Sequence, residues 1–473
     1  MTVPHAPVRS IDDLRGRRVV VLGLARSGVA AARFLADAGA VVVAYDRRPA
    51  ADLGDAVGQL GARPVHLALG VGQAEAAAIV GHAELLVTSP SVSARFPTTD
   101  PWLRDALGAA EGRGVEVVSE VELFLRLTRA RILGVTGTKG KTTTAALLGA
   151  ILDRAGMPSV LGGNIGTPLI ERAMELGPET WAVLELSELQ LPTITRGADV
   201  AVYTNVGEDH LDRHGTVEAY RAVKARLARL SLPSGRIVLN ADDPGTQALA
   251  ATLPAENVAW YGMRRPGRGA TEAWIADDGW VVVAGDRVLA TRDVPLPGRH
   301  MLSDVLAAAL GASLAGADAA AIGEGIRAFP GVPHRLETIA EREGVRWVND
   351  SQATIPVAAI AALESFDAPI ILIAGGQTKG LPYAEFADAV AGRCRAAILI
   401  GETADELATL IGDRLPIRRA DDMDAAVRIA ADLARPGDVV LLAPASTSFD
   451  MFVDYAARGD AFRSAVAALG NAR

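Results

Sequence analysis

The chain has 473 residues, and at roughly 100–200 residues per domain this length predicts about three domains. Its formal net charge is −9, so it lacks the broad basic surface typical of nucleic-acid-binding proteins, and we expect no nucleic-acid partner. Half of the residues are hydrophobic but only 4% are aromatic, which favours Ala-rich helices packed on aliphatic strands and argues against an all-β sandwich.

The N-terminal residues and the cysteine content bear on where the protein resides. Cys394 is the single cysteine, which excludes an intramolecular disulfide and fits a reducing compartment. The first 14 residues include prolines and two aspartates and lack the apolar run of a secretory signal. The most apolar stretch, Val305–Ala317, is too short to cross a bilayer. We therefore expect a cytoplasmic protein that does not insert into membranes.

Short aliphatic runs alternate with Ala-rich segments of helical length along the whole chain. The predicted strands are Arg18–Leu22, Ala40–Tyr45, Leu85–Thr88, Ile132–Thr136, Trp181–Leu186, Val200–Asn205, Ile237–Asn240, Ile370–Ala374, Ala397–Ile400 and Val439–Ala443. The predicted helices include Gly28–Ala38, Thr143–Arg154 and Val217–Leu230. Continuous apolar runs are typical of strands buried on both faces, so the pattern predicts doubly wound, mainly parallel α/β sheets.

Three glycine-containing turns divide the chain into three predicted domains. Residues 1–119 form a Rossmann-like N-terminal domain, residues 120–331 a central phosphate-loop domain with a mainly parallel sheet, and residues 332–473 a second Rossmann-like domain. A polar insert at Tyr261–Arg292 within the central domain is predicted to be an antiparallel hairpin. The Phe329-Pro330-Gly331 breaker precedes the third domain, which has its own glycine turn at Gly375-Gly376.

The first glycine turn joins a strand to a helix between Gly23 and Gly28. It approximates the dinucleotide-binding pattern G-x-G-x-x-G, with Ala25 at the middle position. Asp46 ends the next strand, where such an acid bonds a ribose hydroxyl in that fingerprint. These residues by themselves are compatible with an NAD(P)-dependent oxidoreductase or with a tight turn that has no ligand.

The second glycine turn, Gly137–Thr142, is the strongest local signal in the sequence. A strand enters it and a helix leaves it, and it reads G-x-x-G-K-T. Backbone N–H groups of such a loop hold phosphates, while Lys141 neutralises phosphate charge and the Thr142 hydroxyl can bind Mg²⁺. The strict G-x-x-x-x-G-K-[ST] spacing fails, because Val135 stands where that pattern has its first glycine.

The T-G-T-x-G-K-T form of this loop resembles that of the Mur ligases, ATP-dependent amide-bond ligases that build the peptide stem of the bacterial cell wall. Further segments that resemble the family follow in order: Gly162-Gly163-Asn164-Ile165-Gly166, Leu184-Glu185-Leu186-Ser187, Asn205–Asp212, Ala222-Val223-Lys224, Pro333–Glu337 and Asn349–Thr354. Three features resemble the D-glutamate-adding members most: Asp46-Arg47-Arg48, Ser89-Pro90-Ser91-Val92 and Ala443–Phe452.

The resemblance implies that ATP phosphorylates the carboxylate of UDP-N-acetylmuramoyl-L-alanine and that D-glutamate then attacks the acyl phosphate, a step in peptidoglycan precursor synthesis. L-glutamate or another amino acid as the acceptor stays open. The first domain would hold the UDP-linked substrate, the central domain ATP with two Mg²⁺ ions, and the third domain glutamate. Cell-wall biogenesis, cell shape and cell division would depend on the reaction, and we expect a monomer.

The resemblance also implies roles for individual residues. The catalytic residues would be Lys141, Glu185, His210, Lys224 and Asn164. Thr142 and Glu185 would bind one Mg²⁺, and His210 with a carbamylated Lys224 the other. The ATP-binding residues would be Gly137, Thr138, Lys139, Gly140, Lys141, Thr142, Thr143, Asp304, Arg335 and Asp350. The UDP-substrate residues would be Ala25, Arg26, Ser27, Asp46, Arg47, Arg48 and Ser89. The glutamate residues would be Thr354, Lys379, Ser448 and Tyr455.

Several positions depart from the family pattern, among them Lys139 in the phosphate loop, Gln352 in place of a lysine, and Tyr455 in place of a phenylalanine. None of these departures removes a phosphate-loop or Mg²⁺-binding group, and they fall around the substrate and adenine contacts. A folylpolyglutamate synthase would share the ATPase fold but lack the N-terminal block, and a non-catalytic nucleotide-binding regulator would be expected to lose Lys141, Glu185 or His210. Without the family pattern, Glu185 is a satisfied strand-end carboxylate and Lys224 part of a solvated basic face.

Overall fold

The computed structural model describes residues 7–208, 211–296, 298 and 301–469, and only the backbone of residues 211 and 212. The chain forms two compact units. One comprises residues up to Asp293 together with Ser303–Ile326, and the other comprises Val294–Leu302 and the residues from Arg327 onward. The first unit contains two sheets and the second unit contains one.

The first sheet is parallel throughout and has the order β3-β2-β1-β4-β5. Its strands are β1 (Arg18–Leu22), β2 (Val41–Asp46), β3 (Val65–Leu69), β4 (Leu85–Thr88) and β5 (Glu116–Ser119). Its helices are α1 (Arg26–Asp37), α2 (Gly54–Leu60), α3 (Gln73–Gly81), α4 (Pro101–Gly112) and α5 (Glu120–Leu127). The chain proceeds outward from β1 to β3 and then returns to β4 on the other side of β1. Loops leaving β1 and β4 therefore diverge and leave a crevice at the carboxyl edge.

The second sheet has the order β14-β13-β12-β11-β10-β9-β6-β8-β7. Its strands are β6 (Arg131–Thr136), β7 (Ser159–Gly163), β8 (Trp181–Glu185), β9 (Val200–Tyr203), β10 (Arg236–Asn240), β11 (Val258–Gly262), β12 (Glu272–Ile275), β13 (Trp280–Val283) and β14 (Asp286–Ala290). Its helices are α6 (Lys141–Arg154), α7 (Leu211–His214), α8 (Val217–Ser231), α9 (Pro244–Ala250), α10 (Met301–Ala315) and α11 (Ala319–Ala328). Strand β6 lies between β8 and β9, both parallel to it, so the loops after these three strands meet at one edge.

The third sheet has the order β15-β16-β20-β17-β18-β19, with only β15 antiparallel to its neighbour. Its strands are β15 (Glu337–Arg342), β16 (Val345–Asn349), β17 (Ile370–Gly375), β18 (Cys394–Ile400), β19 (Ile417–Arg419) and β20 (Val439–Leu442). Its helices are α12 (Pro356–Glu364), α13 (Ala384–Arg393), α14 (Ala404–Ile411), α15 (Met423–Leu433) and α16 (Tyr455–Ala468).

The structure confirms the predicted α/β class with mainly parallel sheets, and a strand occupies each predicted strand position. The polar insert is antiparallel as expected, because β12, β13 and β14 form a meander at the edge of the second sheet. The boundaries at residues 119 and 331 stay predictions. In the described part of the chain, the structure contains no helix with both the length and the apolarity to cross a membrane.

Candidate active site

The backbone of the second glycine turn requires glycine at two positions. Strand β6 ends at Thr136, and Gly140 caps α6 in the left-handed conformation, with φ of 84°. A Cβ atom added at Gly137 would overlap the Thr204 hydroxyl, and one added at Gly140 would overlap the Asp304 carboxylate. The turn is therefore held between the end of β9 and the first turn of α10, where Asp304 lies against it. The predicted contact of Asp304 with ATP stays a prediction.

Asn205 fixes the tip of this loop. Its carbonyl oxygen accepts a hydrogen bond from the Thr138 amide at 3.0 Å, and its Oδ1 accepts one from the Lys139 amide at 2.9 Å. Its Nδ2 donates to the Lys139 carbonyl at 3.0 Å, and the Thr204 hydroxyl donates to the same oxygen at 2.5 Å. The Lys139 side chain is exposed. Lys141 folds back across the loop, and its Nζ donates to the Thr138 carbonyl at 2.9 Å.

Glu185 ends β8 next to this loop and is 1% exposed. Its Oε2 accepts a hydrogen bond from the Thr142 hydroxyl and its Oε1 accepts one from Asn164 Nδ2, each at 2.8 Å. Among the described residues, no basic side chain comes within salt-bridge distance of this carboxylate. A buried carboxylate is costly without a charged partner, and carboxylate and hydroxyl oxygens are the ligands that Mg²⁺ prefers. Thr142 and Glu185 therefore fit a Mg²⁺ ion.

Lys224 on α8 is fully buried, which contradicts its placement on a solvated basic face. Its Nζ donates to the Gly137 carbonyl at 2.9 Å and lies 3.4 Å from the Thr136 hydroxyl. A buried ammonium is costly unless it is well hydrogen-bonded, so its position on the glycine turn is specific. His210 lies outside the described residues. Among the described residues there is no cluster of three or more His, Cys, Asp or Glu side chains that could hold a metal.

Tyr220 is a site residue that the sequence analysis missed. Its hydroxyl lies 3.1 Å from the Thr138 hydroxyl, and its ring centroid lies 5.4 Å from Lys224 Nζ. Tyr220 precedes Lys224 by four residues on α8, so the two side chains lie on one face of the helix. That spacing is the signal that could have identified it.

The first glycine turn has a different arrangement. Asp46 Oδ2 accepts a hydrogen bond from the Leu24 amide at 2.9 Å, and the Asp46 carboxylate pairs with the Arg48 guanidinium at 2.9–3.0 Å. Burial raises the pKa of Asp46, but the hydrogen bonds from Arg48 and Leu24 outweigh it and bring this pKa down to about 2. The carboxylate thus bridges the two loops that follow β1 and β2.

The other residues expected to hold the UDP-linked substrate lie near this turn. Ala25 caps α1, Arg26 and Ser27 form its first turn, Arg47 and Arg48 are exposed after β2, and Ser89 follows β4. Since β1 and β4 border the crevice of the first sheet, Ala25, Arg26, Ser27 and Ser89 lie at its edge, and Arg47 and Arg48 follow β2, the neighbour of β1.

Asp350 follows β16 in the second unit and is 6% exposed. Burial raises its pKa to about 6, although the hydrogen bond from the Leu336 amide and the positive charge of Arg335 act in the opposite direction. Arg335 therefore lies close enough to Asp350 for an electrostatic interaction. The structure brings together these two residues, which were both expected to contact ATP.

Three of the residues expected to bind glutamate lie in loops at the carboxyl edge of the third sheet. Lys379 Nζ, after β17, donates to the Thr354 hydroxyl at 3.2 Å. Ser448 follows β20 and is 2% exposed, and an antiparallel bridge between Gln377 and Thr447 joins its loop to that of Lys379. Tyr455, the fourth residue, begins α16 and is 40% exposed.

Arg458 is buried against these loops, and the sequence analysis did not identify it. It is 1% exposed and donates to the Ser446 and Thr447 carbonyls at 3.1 and 3.0 Å. It also donates to the hydroxyl and the carbonyl of Ser351 at 3.0 and 2.9 Å. A single buried guanidinium therefore ties the loop after β20 to the loop after β16.

Comparison with known proteins places these features in one family. Residues 135–312 match the Mur ligase middle domain, and residues 334–446 match the Mur ligase glutamate ligase domain. The UDP-N-acetylmuramoylalanine–D-glutamate ligase of Anaeromyxobacter dehalogenans is 43% identical over 469 residues, covering 95% of this chain and 97% of its own length. That of Symbiobacterium thermophilum is 40% identical over 458 residues, covering 96% and 98%.

Solved structures support the fold. The crystal structure of UDP-N-acetylmuramate–alanine ligase from Thermotoga maritima has a TM-score of 0.59 at 16% identity and covers 97% of this chain and 100% of that chain. A UDP-N-acetylmuramoyl-L-alanyl-D-glutamate–2,6-diaminopimelate ligase has a TM-score of 0.56 at 20% identity, covering 96% and 93%. With the phosphate loop, the buried carboxylate beside it and full-length relatives at about 40% identity, the chain belongs to the Mur ligase family.

Proposed function

We propose that this chain is an ATP-dependent amide-bond ligase that adds D-glutamate to UDP-N-acetylmuramoyl-L-alanine in peptidoglycan precursor synthesis. Relatives of 40–43% identity, whose matches cover 95–96% of the chain, are named for this activity. The observation that carries the chemistry is the buried Glu185 carboxylate, hydrogen-bonded by Thr142 at the start of the phosphate loop helix. The proposed location is the cytoplasm, and the proposed state is a monomer.

The reaction needs an activated carboxylate, because oxide is a very poor leaving group. A carboxylate oxygen of the alanyl group attacks the γ-phosphorus of ATP, and the bond to the ADP oxygen breaks. The amine of glutamate then attacks the acyl carbon and loses a proton, and phosphate leaves as the amide bond forms. Phosphoryl transfer of this kind depends mainly on alignment and on neutralisation of charge.

The phosphate loop supplies alignment and positive charge in this proposal. The amides at the start of α6 and the N-terminal dipole end of that helix face the phosphates. Lys141 exchanges its contact with the Thr138 carbonyl for the terminal phosphates when ATP binds. Asn205 keeps the backbone of Thr138 and Lys139 in place before ATP arrives.

The proposed metal ligands are the residues that the family resemblance indicates. Thr142 and Glu185 would hold one Mg²⁺, and His210 with a carbamylated Lys224 the second. Bound Mg²⁺ would neutralise the phosphate charge and polarise the phosphorus–oxygen bond. The buried position of Lys224 fits carbamylation, since a carbamate keeps one N–H that can still donate to the Gly137 carbonyl.

Residues at the first and third sheets are proposed to hold the remaining parts of the substrates. Arg26, Arg48 and neighbouring residues at the crevice of the first sheet are proposed to hold the UDP group. Arg335 and Asp350 are proposed to contact the phosphates and the ribose of ATP. Lys379 and Ser448 are proposed to hold the carboxylates of glutamate, for which Lys379 supplies a charged donor.

The first test is a phosphate-release assay with ATP, Mg²⁺ and UDP-N-acetylmuramoyl-L-alanine, to which D-glutamate, L-glutamate or no amino acid is added. We expect release only when an acceptor is present, D-glutamate to be the preferred acceptor, and the amide product to appear in the mass spectrum. Preference for L-glutamate would keep the chemistry and correct the acceptor. No release with either enantiomer would contradict the proposed function.

A further inference from the structure

The segment Asn164–Ile170 turns back on the strand from which it leaves. Asn164 begins it beside Glu185. Its backbone N–H donates to the Glu185 backbone carbonyl and its side-chain Nδ2 donates to the Glu185 carboxylate, each at 2.8 Å. At the other end, Leu169 lies so close to Gly162 on β7 that a Cβ atom there would overlap the Leu169 side chain. The position of Leu169 and Ile170 therefore constrains the position of Asn164, six residues before Ile170 along the chain.

A buried carboxylate from another element holds the far end of this segment. Glu120 is the first residue of α5, the helix that leads from the first sheet to the second, and it is 5% exposed. Its Oε1 accepts a hydrogen bond from the Ile170 amide at 3.0 Å, and the Leu169 amide also hydrogen-bonds to the carboxylate. Burial raises the pKa of Glu120 to about 7, although the hydrogen bonds from the Ile170 and Leu169 amides act in the opposite direction.

Helix α1 makes two further contacts with the same region. The Arg26 guanidinium donates to the Gly166 carbonyl at 3.4 Å. Arg33 forms an ion pair with Glu171 at 3.0 Å, and both of these side chains are about one-third exposed. These contacts are weak in water, so the buried bonds to Glu120 dominate the attachment.

We propose that Glu120 is a positioning residue of the ligase: by holding the Leu169–Ile170 turn it fixes the segment that places Asn164 beside Glu185. This inference rests on the proposed function, since it needs Asn164 to contact the phosphoryl group or the substrate carboxylate. In this proposal Glu120 itself contacts neither the substrate nor ATP. A small displacement of Asn164 is sufficient for a large effect, because a misplacement of about 1 Å can cost about 10²-fold in rate.

The test is a double-mutant cycle on kcat with Glu120→Ala and Asn164→Ala. Glu120→Ala is expected to lower kcat about ten- to hundredfold in the wild-type background and to leave KM for ATP within about twofold. In the Asn164→Ala background the same substitution is expected to change kcat less than about twofold, because it acts through Asn164. An equal loss of kcat in both backgrounds, or unchanged kcat in the single variant, would overturn the inference.

Glu122→Ala is the matched control. Glu122 lies on the same helix, is fully buried and accepts a hydrogen bond from the Thr195 amide at 2.8 Å, away from the Asn164–Ile170 segment. It is expected to lower the melting temperature while kcat stays within about twofold. If Glu120→Ala does not fold, Glu120→Met, which keeps the side-chain length but removes the hydrogen-bond acceptor, takes its place in the same cycle under the same criterion. Wild-type turnover measured in parallel separates failure of this inference from failure of the proposed function.

Discussion

The two glycine turns have the same local order of strand, turn and helix, but they use their acidic partners in opposite ways. At the first turn Asp46 is paired with Arg48 and the Leu24 amide, so its charge is compensated by its own neighbours. At the second turn Glu185 meets only the neutral donors of Thr142 and Asn164 among the described residues. The difference is that Asp46 has a cationic partner in its own loop, whereas Glu185 is hydrogen-bonded by neutral groups at the turn where we propose that ATP binds.

The comparison also weakens the oxidoreductase alternative. In the dinucleotide-binding fingerprint the acid after the second strand bonds a ribose hydroxyl. Here the Asp46 carboxylate accepts bonds from the Leu24 amide, the Arg48 amide and the Arg48 side chain. Asp46 therefore joins the loops that follow β1 and β2, and its expected contact with the UDP-linked substrate stays a prediction.

Lys141→Ala should give the largest loss if the second turn activates ATP. Removing the cation leaves the terminal phosphate charge uncompensated, and we expect kcat to fall about 10²–10³-fold. The measurement is phosphate release with saturating substrates, with a thermal melt to check folding. Turnover within tenfold of wild type would contradict the role of this turn.

Lys224→Ala should be nearly as damaging, with kcat lower by about 10²-fold, because Lys224 reaches the same turn from α8. Partial recovery on addition of a short-chain carboxylate is expected if the carbamate supplies an oxygen ligand. The control is the addition of the same carboxylate salt to wild type. A full loss without recovery would favour a purely structural ammonium, and full activity would remove Lys224 from the mechanism.

Asp46→Asn tests the first turn and should reduce stability more than turnover. Because the folded-state pKa of about 2 lies below the ordinary 3.8, Asp46 stabilises the fold by about 2 kcal/mol above about pH 4. That contribution is lost as the pH falls from about 4 to about 2. Thermal melts at pH 7 and at pH 3 should therefore differ less in the variant than in wild type. We expect kcat to stay within about threefold of wild type. A larger fall would show that the first turn also contributes to turnover.

Lys139→Ala should have the smallest effect. The backbone of Lys139 is bound to Asn205, whereas its side chain is exposed. We expect KM for ATP to change less than about threefold. KM measured at two salt concentrations checks this, and a rise of tenfold or more would show that the side chain itself binds phosphate.

Much of the fold could be predicted because its central strands are continuous aliphatic runs. Ile132, Leu133 and Val135 on β6 are 0–1% exposed, as such a run indicates. Some of the strands that the sequence did not reveal, among them β3 and β7, lie at sheet edges, where one side of each strand lacks a partner, whereas β11 and β16 lie inside their sheets. Val65–Leu69 contains an exposed histidine, and Ser159–Gly163 ends in two glycines, so neither has the buried pattern.

The phosphate loop could be predicted because it is local in sequence, and Glu185 could be identified only through the family resemblance. The burial of Lys224 could not be predicted. Lys224 is surrounded by Arg221, Arg226 and Arg229, a composition typical of a solvated helix face. Only the packing of α8 beside β9 shows that its side chain is inside the protein. The role of Glu120 could not be predicted either, because its hydrogen-bond partner Ile170 lies 50 residues further along the chain.

The central claim is that ATP activates the substrate carboxylate at the second turn, and oxygen transfer tests it directly. UDP-N-acetylmuramoyl-L-alanine labelled with ¹⁸O in the alanyl carboxylate should deliver one labelled oxygen to the released phosphate for each amide bond formed. Mass spectrometry of the phosphate reads this out. Amide formation with unlabelled phosphate would contradict the acyl-phosphate mechanism.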